Sequence, residues 1–286
     1  MSKRRDFIKS ASLGALVGTG IFTSSFTKGE AKKMKKKIPN LGIITNTLKN
    51  EFEKDYQQAL REVSDLGYTC IEGGVPEGTN AKAYGQFLKS LDLQPIITGG
   101  SMGGFEEDFD KTLKTAEELG VSYISCYWPW LSSADNLTYD ETMKAAENLN
   151  KHGKRSKEAG FHLTWHNHDK EFVKVNDHLV FDLLMENTDP QYVNSQLDWY
   201  WVFKGNADPV DLFKHFPGRF PLVHVKDMNN NKDRGISCVG QGIIDFEPIF
   251  KESSTGGVKY FVLENEKAIK GIACAKAGYN LMSDYL

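Results

Sequence analysis

The stretch His162-Leu163-Thr164-Trp165-His166-Asn167-His168 sets the pattern on which the fold reading rests: a short, largely apolar run that closes on side chains able to bind metals and move protons. The same arrangement returns downstream as Gln196-Leu197-Asp198-Trp199, Val223-His224-Val225-Lys226 and Leu263-Glu264-Asn265-Glu266. Working outward, the short runs predict eight strands, at 41–45, 69–72, 95–98, 122–127, 162–166, 194–198, 222–226 and 260–264. Amphipathic segments of helical period alternate with them, at 54–66, 81–91, 109–119, 139–159, 179–186, 209–215, 246–252 and 268–285. Gly120 and Gly160 follow two of these helices, and Asp208-Pro209 opens another with a capping residue and a first-turn proline. Eight βα units in about 250 residues predict an α/β protein whose single domain is a closed (β/α)8 barrel.

An open, doubly wound sheet is the structural rival, and it would carry a Gly-x-Gly-x-x-Gly turn after an early strand. Gly73-Gly74 and the glycine-rich 99–104 stretch do follow strands, but with the wrong spacing. Tight turning of the backbone at the barrel mouth is the expected use of these glycines. The 286-residue chain has a formal net charge of -3 and no Lys/Arg stripe in its body, so nucleic acid is not an expected partner. Cys70, Cys126, Cys238 and Cys274 show no C-x-x-C spacing and are expected to be buried thiols, neither a zinc site nor a disulfide framework.

The N-terminus has its own grammar. Ser2-Lys3-Arg4-Arg5-Asp6-Phe7-Ile8-Lys9 precedes a mildly apolar 11–26 stretch, which together predict a twin-arginine signal over 1–31 and a periplasmic destination. That run is too short and too weakly hydrophobic to be expected to span a membrane. A basic linker occupies 32–39, and the barrel is assigned to 40–286.

In such a barrel the site forms at the C-terminal ends of the strands. Alternation puts His166 on one face with His168, His224 with Lys226, and Glu264 with Glu266. If the first of each pair points inward, His166, Asp198, His224 and Glu264 converge as a mixed N/O ligand set for one divalent ion, Mn²⁺ first, with Zn²⁺, Co²⁺ or Fe²⁺ as alternatives. Trp128, Trp130, Trp165, Trp199 and Trp201, with Tyr127 and Tyr200, cluster at the ends of strands four to six. Flat rings there suit the C–H faces of a sugar. Trp128, Trp130, Trp199 and Trp201, together with Glu266, are the expected substrate contacts, whereas the parity of Trp165 assigns it to packing.

The chain resembles the xylose-isomerase-like TIM barrel superfamily of sugar phosphate isomerases/epimerases over about 40–286. The resemblance rests on His166-Asn167-His168-Asp169-Lys170-Glu171-Phe172, Leu197-Asp198-Trp199, His224-Val225-Lys226-Asp227-Met228, Val239-Gly240-Gln241-Gly242 with Asp245-Phe246, and Val262-Leu263-Glu264-Asn265-Glu266. It implies a divalent metal held at the four positions named above, and proton abstraction beside a sugar carbonyl. Sugar 3-epimerases of the superfamily use a metal-bound glutamate matching Glu264 and a second one where His166 stands here. Unless Glu171 takes that place as the strand-five ligand, the exchange disfavours two-base epimerisation. Dehydratases of the superfamily carry an acid/base histidine two residues after this ligand, which is His168 here. The expected reaction is therefore β-elimination from a keto-sugar or 3-keto-glycoside, with His168 as base, Glu264 at the metal, and Lys226 or Glu171 assisting departure. The form of the motif and the signal also resemble exported members linked to 3-keto-glycoside breakdown. Isomerisation or epimerisation, a sugar-binding module, an apurinic endonuclease and a homo-oligomeric assembly are the alternatives left open.

Overall fold

A computed structural model describes residues 37–286; the expected twin-arginine signal over 1–31 and most of the expected linker over 32–39 lie outside them. Eight parallel strands close into a barrel: β1 (Leu41–Ile44), β2 (Cys70–Glu72), β3 (Gln94–Ser101), β4 (Tyr123–Trp128), β5 (His162–His166), β6 (Val193–Asp198), β7 (Leu222–Val225) and β8 (Tyr260–Leu263). Each neighbours its successor, and β8 returns to β1 through Leu41↔Phe261 and Gly42↔Val262. All eight expected strands are present, with ends shifted by a few residues.

The helices are α1 (Lys49–Asp65), α2 (Ala81–Ser90), α3 (Met102–Leu119), α4 (Tyr139–Glu158), α5 (Val180–Glu186), α6 (Trp199–Lys204), α7 (Pro209–His215), α8 (Glu247–Gly256) and α9 (Gly271–Met282). The short α6 is not among the sequence expectations. Its residues, Trp-Tyr-Trp-Val-Phe-Lys, lack a polar face, so no helical period is visible. Helix α3 starts earlier than expected, capped by Ser101, and bends at Asp108, where φ is -156°.

Cys70, Ile96, Ile97, Tyr123, Leu222 and Val262 form a small separate cluster, while Ile71, Ile124, Leu163, Val223 and Leu263 join a larger, outer layer with residues of the helices. Trp165 belongs to that outer layer, 5.2 Å from Phe181, as its parity predicts. The glycines at 99 and 100 lie inside β3 and not in a turn. A Cβ on Gly99 would lie 1.9 Å from the Ser125 carbonyl oxygen, so close approach of β3 to β4 is what demands glycine there.

The cysteine expectation is half corrected. Cys70 and Cys126 are buried free thiols, but Cys238 and Cys274 form a disulfide with a Cα–Cα distance of 5.0 Å. They are 36 residues apart in the chain, and only the docking of α9 against the loop after β7 brings them together.

Candidate active site and metal centre

Parallel register carries the four expected ligands to one end of the barrel. Asp198 pairs with His224 across β6 and β7, and the Glu264 N–H donates to the Val225 carbonyl just past β8. His166, Asp198, His224 and Glu264 each offer one ligand atom, all lying within 4.8 Å of one another, and all four side chains are buried.

The chemistry of the set fits a divalent cation. Asp198 caps α6 by accepting from the Trp201 N–H through Oδ1, which leaves Oδ2 buried with no hydrogen-bond donor. His166 Nδ1 is likewise buried without a partner. His224 Nδ1 lies 2.9 Å from Glu264 Oε2, but the two are not aligned as a hydrogen bond. Desolvated, unpaired donor atoms facing a common point are costly unless an ion is shared among them.

Burial and mutual charge shape the protonation of this cluster. Burial would push the His224 imidazole down, but Glu72 and Glu264 outweigh it and raise its pKa. Burial would raise Glu264, yet His224 and Lys226 hold it well below the usual carboxylate range. Asp198 is pushed up to about 7 by burial, against the pull of Lys226. Burial, reinforced by His224 and His168, keeps His166 neutral.

His168 stands beside the ligands, its ring centroid 4.9 Å from that of His166. Burial and then Lys226 lower its pKa to about 4, so the imidazole is neutral and free to accept a proton. Trp128 and Trp201 flank it with ring centroids 5.4 Å away, and both are half-buried. Lys226 is buried; its Nζ lies 2.7 Å from Glu266, 3.4 Å from Glu264 and 3.6 Å from Asp198, and 5.0 Å from the Trp201 ring. Burial lowers its pKa, but those three carboxylates outweigh it and keep the ammonium charged.

Other expected contacts lie elsewhere. Trp199 is fully buried against Phe246, Phe250 and Phe261 and is closed to any ligand. Trp130 is 3% exposed and donates through Nε1 to Glu171 Oε1 at 2.7 Å. Position at strand ends predicts a ligand contact for both, but Trp199 opens α6 and is turned into the outer apolar layer, while Trp130 lies in the loop beyond β4. Glu171 has both oxygens engaged, since Oε2 accepts from the His168 N–H at 2.6 Å, and burial lifts its pKa to about 7. It shapes the turn that carries His168, while His166 stands in the ligand cluster.

Several site residues were missed. Asn167 accepts from the Asp198 N–H at 2.9 Å and so joins the ends of β5 and β6. Glu72, Gln196 and Ser125 lie buried beneath the ligands and are linked to His224 by hydrogen bonds. Glu72 obeys the rule that singled out the other four, being a carboxylate that ends a short apolar strand, so the signal was present in Cys70-Ile71-Glu72.

Comparison with known proteins agrees with this architecture. The profile of the xylose isomerase-like TIM barrel family matches residues 60–277. An inosose dehydratase of Geobacillus kaustophilus (strain HTA426) is 28% identical over 251 residues, covering 74% of this chain and 77% of that protein. One from Clostridium perfringens (strain ATCC 13124) is 29% identical over 250 residues, covering 75% and 84%. A sugar phosphate isomerase/epimerase structure from Parabacteroides distasonis ATCC 8503 superposes with a TM-score of 0.74 at 25% identity, covering 88% of this chain and 95% of that one.

Proposed function

Because the chain belongs to the xylose isomerase-like TIM barrel family, we propose that it is a divalent-metal-dependent lyase that eliminates water or an aglycone from a keto-sugar or 3-keto-glycoside. The observation that carries this reading is the buried convergence of His166, Asp198, His224 and Glu264 beside a neutral His168. Likeness to inosose dehydratases supports elimination over other chemistries of the fold.

Those four residues would hold the ion, Mn²⁺ being the favoured occupant. A divalent ion there supplies Lewis acidity, drawing charge from a carbonyl oxygen as the neighbouring C–H bond is broken. His168 accepts that proton through its unprotonated ring nitrogen. The C–H electron pair becomes the new C=C bond, the β C–O bond breaks, and the departing oxygen takes a proton back from the imidazolium. Lys226 donates a hydrogen bond to the departing oxygen, a task for which it is better placed than Glu171, whose oxygens are committed to Trp130 and the His168 N–H. Trp128 and Trp201 provide flat faces for the ring, and Glu266 anchors Lys226 while remaining partly open to a sugar hydroxyl. The Ser2–Lys9 sequence, read as a twin-arginine signal, supports a periplasmic setting for this reaction.

Purified protein loaded with Mn²⁺ and given inosose or a 3-keto-glycoside is expected to release water or aglycone. His168→Ala is expected to abolish turnover while the ion stays bound; undiminished turnover would remove His168 from the mechanism. The Parabacteroides structure, named an isomerase/epimerase, favours a second reading in which the abstracted proton returns to carbon. Running the reaction in D₂O separates the two, since deuterium in a returned or epimerised sugar would replace the lyase assignment.

A further inference from the structure

The imidazole of His224 is gripped from both sides. Nδ1 faces Glu264 and Asp198, at 2.9 and 3.9 Å, whereas Nε2 lies 3.0 Å from Glu72 Oε2. The two ring nitrogens point away from each other, so Glu72 sits behind the histidine and not among the ligands. Glu72 is itself held: the Gln196 amide donates to the same oxygen at 2.7 Å, and Ser125 Oγ donates to the Gln196 carbonyl at 2.9 Å. Residues from β4, β6, β2 and β7 thus form one hydrogen-bonded line across the barrel, with Ser125, Gln196 and Glu72 fully buried and His224 1% exposed.

A carboxylate can only accept. The Gln196 amide also lies 2.9 Å from Nε2 but is spent on Glu72, so the carboxylate, which needs a donor, takes the Nε2 proton and leaves the Nδ1 lone pair free for a cation. A negative partner also raises the basicity of the ring toward an ion on its far side. We propose that Glu72 is a positioning residue that fixes the tautomer and the angle of His224, and thereby sets metal affinity at the site. The proposal rests on the reading of His166, Asp198, His224 and Glu264 as a metal centre.

Glu72→Gln preserves shape and removes the charge. Metal affinity is read by competition with a chromophoric chelator, and ligand geometry by the visible spectrum of the Co²⁺-loaded protein. We expect affinity for Mn²⁺ to fall about 10–100-fold and the Co²⁺ bands to shift, with KM for the keto-sugar unchanged at saturating metal. Glu72→Asp, which keeps the charge on a shorter arm, is expected to recover part of the loss. A Glu72→Gln protein that binds Mn²⁺ within twofold of the parent with the same Co²⁺ spectrum would overturn the proposal and leave the metal centre standing. If Glu72→Gln does not fold, Glu72→Asp decides: weaker binding supports the role and unchanged binding refutes it. A parent protein that binds no divalent ion would remove the metal centre itself, and this inference with it.

Discussion

Replacing Asp227 by Asn exchanges one oxygen for an amide group at a carboxylate that organises the loop following β7. Oδ1 accepts from the Met228 and Ile244 N–H groups at 2.7 and 3.2 Å, and Oδ2 from Gly240 and Gly242 at 3.0 and 2.9 Å. Burial pushes the Asp227 carboxyl up, while these four donors pull toward the ionised form that can accept them all. In Asp227→Asn one pair of N–H groups faces an NH₂ that cannot accept. Two charge-assisted bonds at about 1.5–3 kcal/mol each set a loss of about 3–6 kcal/mol, and relaxation with water entry brings the expected value to about 3 kcal/mol. Hydrogen exchange reads this locally: the amides of Gly240, Gly242 and Ile244 should exchange about 100-fold faster, the ratio that about 3 kcal/mol implies. Gly242→Ala should open the same clamp from the other side, because its Cβ would lie 2.3 Å from both Asp227 Oδ1 and the Met228 carbonyl. A loss below about 1 kcal/mol in Asp227→Asn, with these amides still protected, would refute the claim that a four-donor carboxylate holds this loop.

Two further outcomes follow from the corrected side-chain placements. Trp199→Ala should destabilise the barrel by about 3–5 kcal/mol in a denaturant titration, since it empties a fully buried site, whereas Trp201→Ala should leave stability within about 1 kcal/mol and raise KM up to about tenfold. Equal effects of the two on KM would return Trp199 to the substrate site. Glu171 carries a pH signature, because burial raises its folded pKa from 4.5 to about 7. Its favourable contribution is complete below pH 4.5 and is lost as pH rises through about 7, where the native state must give up a proton that the unfolded chain has already released. The stability difference between the parent and Glu171→Gln, followed from pH 4 to 8 (roughly the span that brackets both values), should therefore shift against the parent by on the order of 1–3 kcal/mol as pH rises. A flat difference would show that Glu171 titrates at its ordinary value.

The alternation of apolar runs and helical segments contained the barrel, because each βα unit is a local pattern and eight of them close in one way. His166, Asp198, His224 and Glu264 were legible for the same reason: strand parity and strand ends are properties of neighbouring residues, and parallel register converts them into proximity. Features that join distant segments were not legible. Trp199 and Trp201 look alike in the chain, and only the six-residue helix begun by Asp198 turns the first into the apolar layer and the second toward His168. Trp130 meets Glu171 across 41 positions, Cys238 meets Cys274 across 36, and Glu72 reaches His224 across 152. Sequence alone determined which side chains stand at the barrel mouth; tertiary structure decided which are free to act there, because packing and hydrogen bonding between remote elements occupy some of those groups and leave others unpaired.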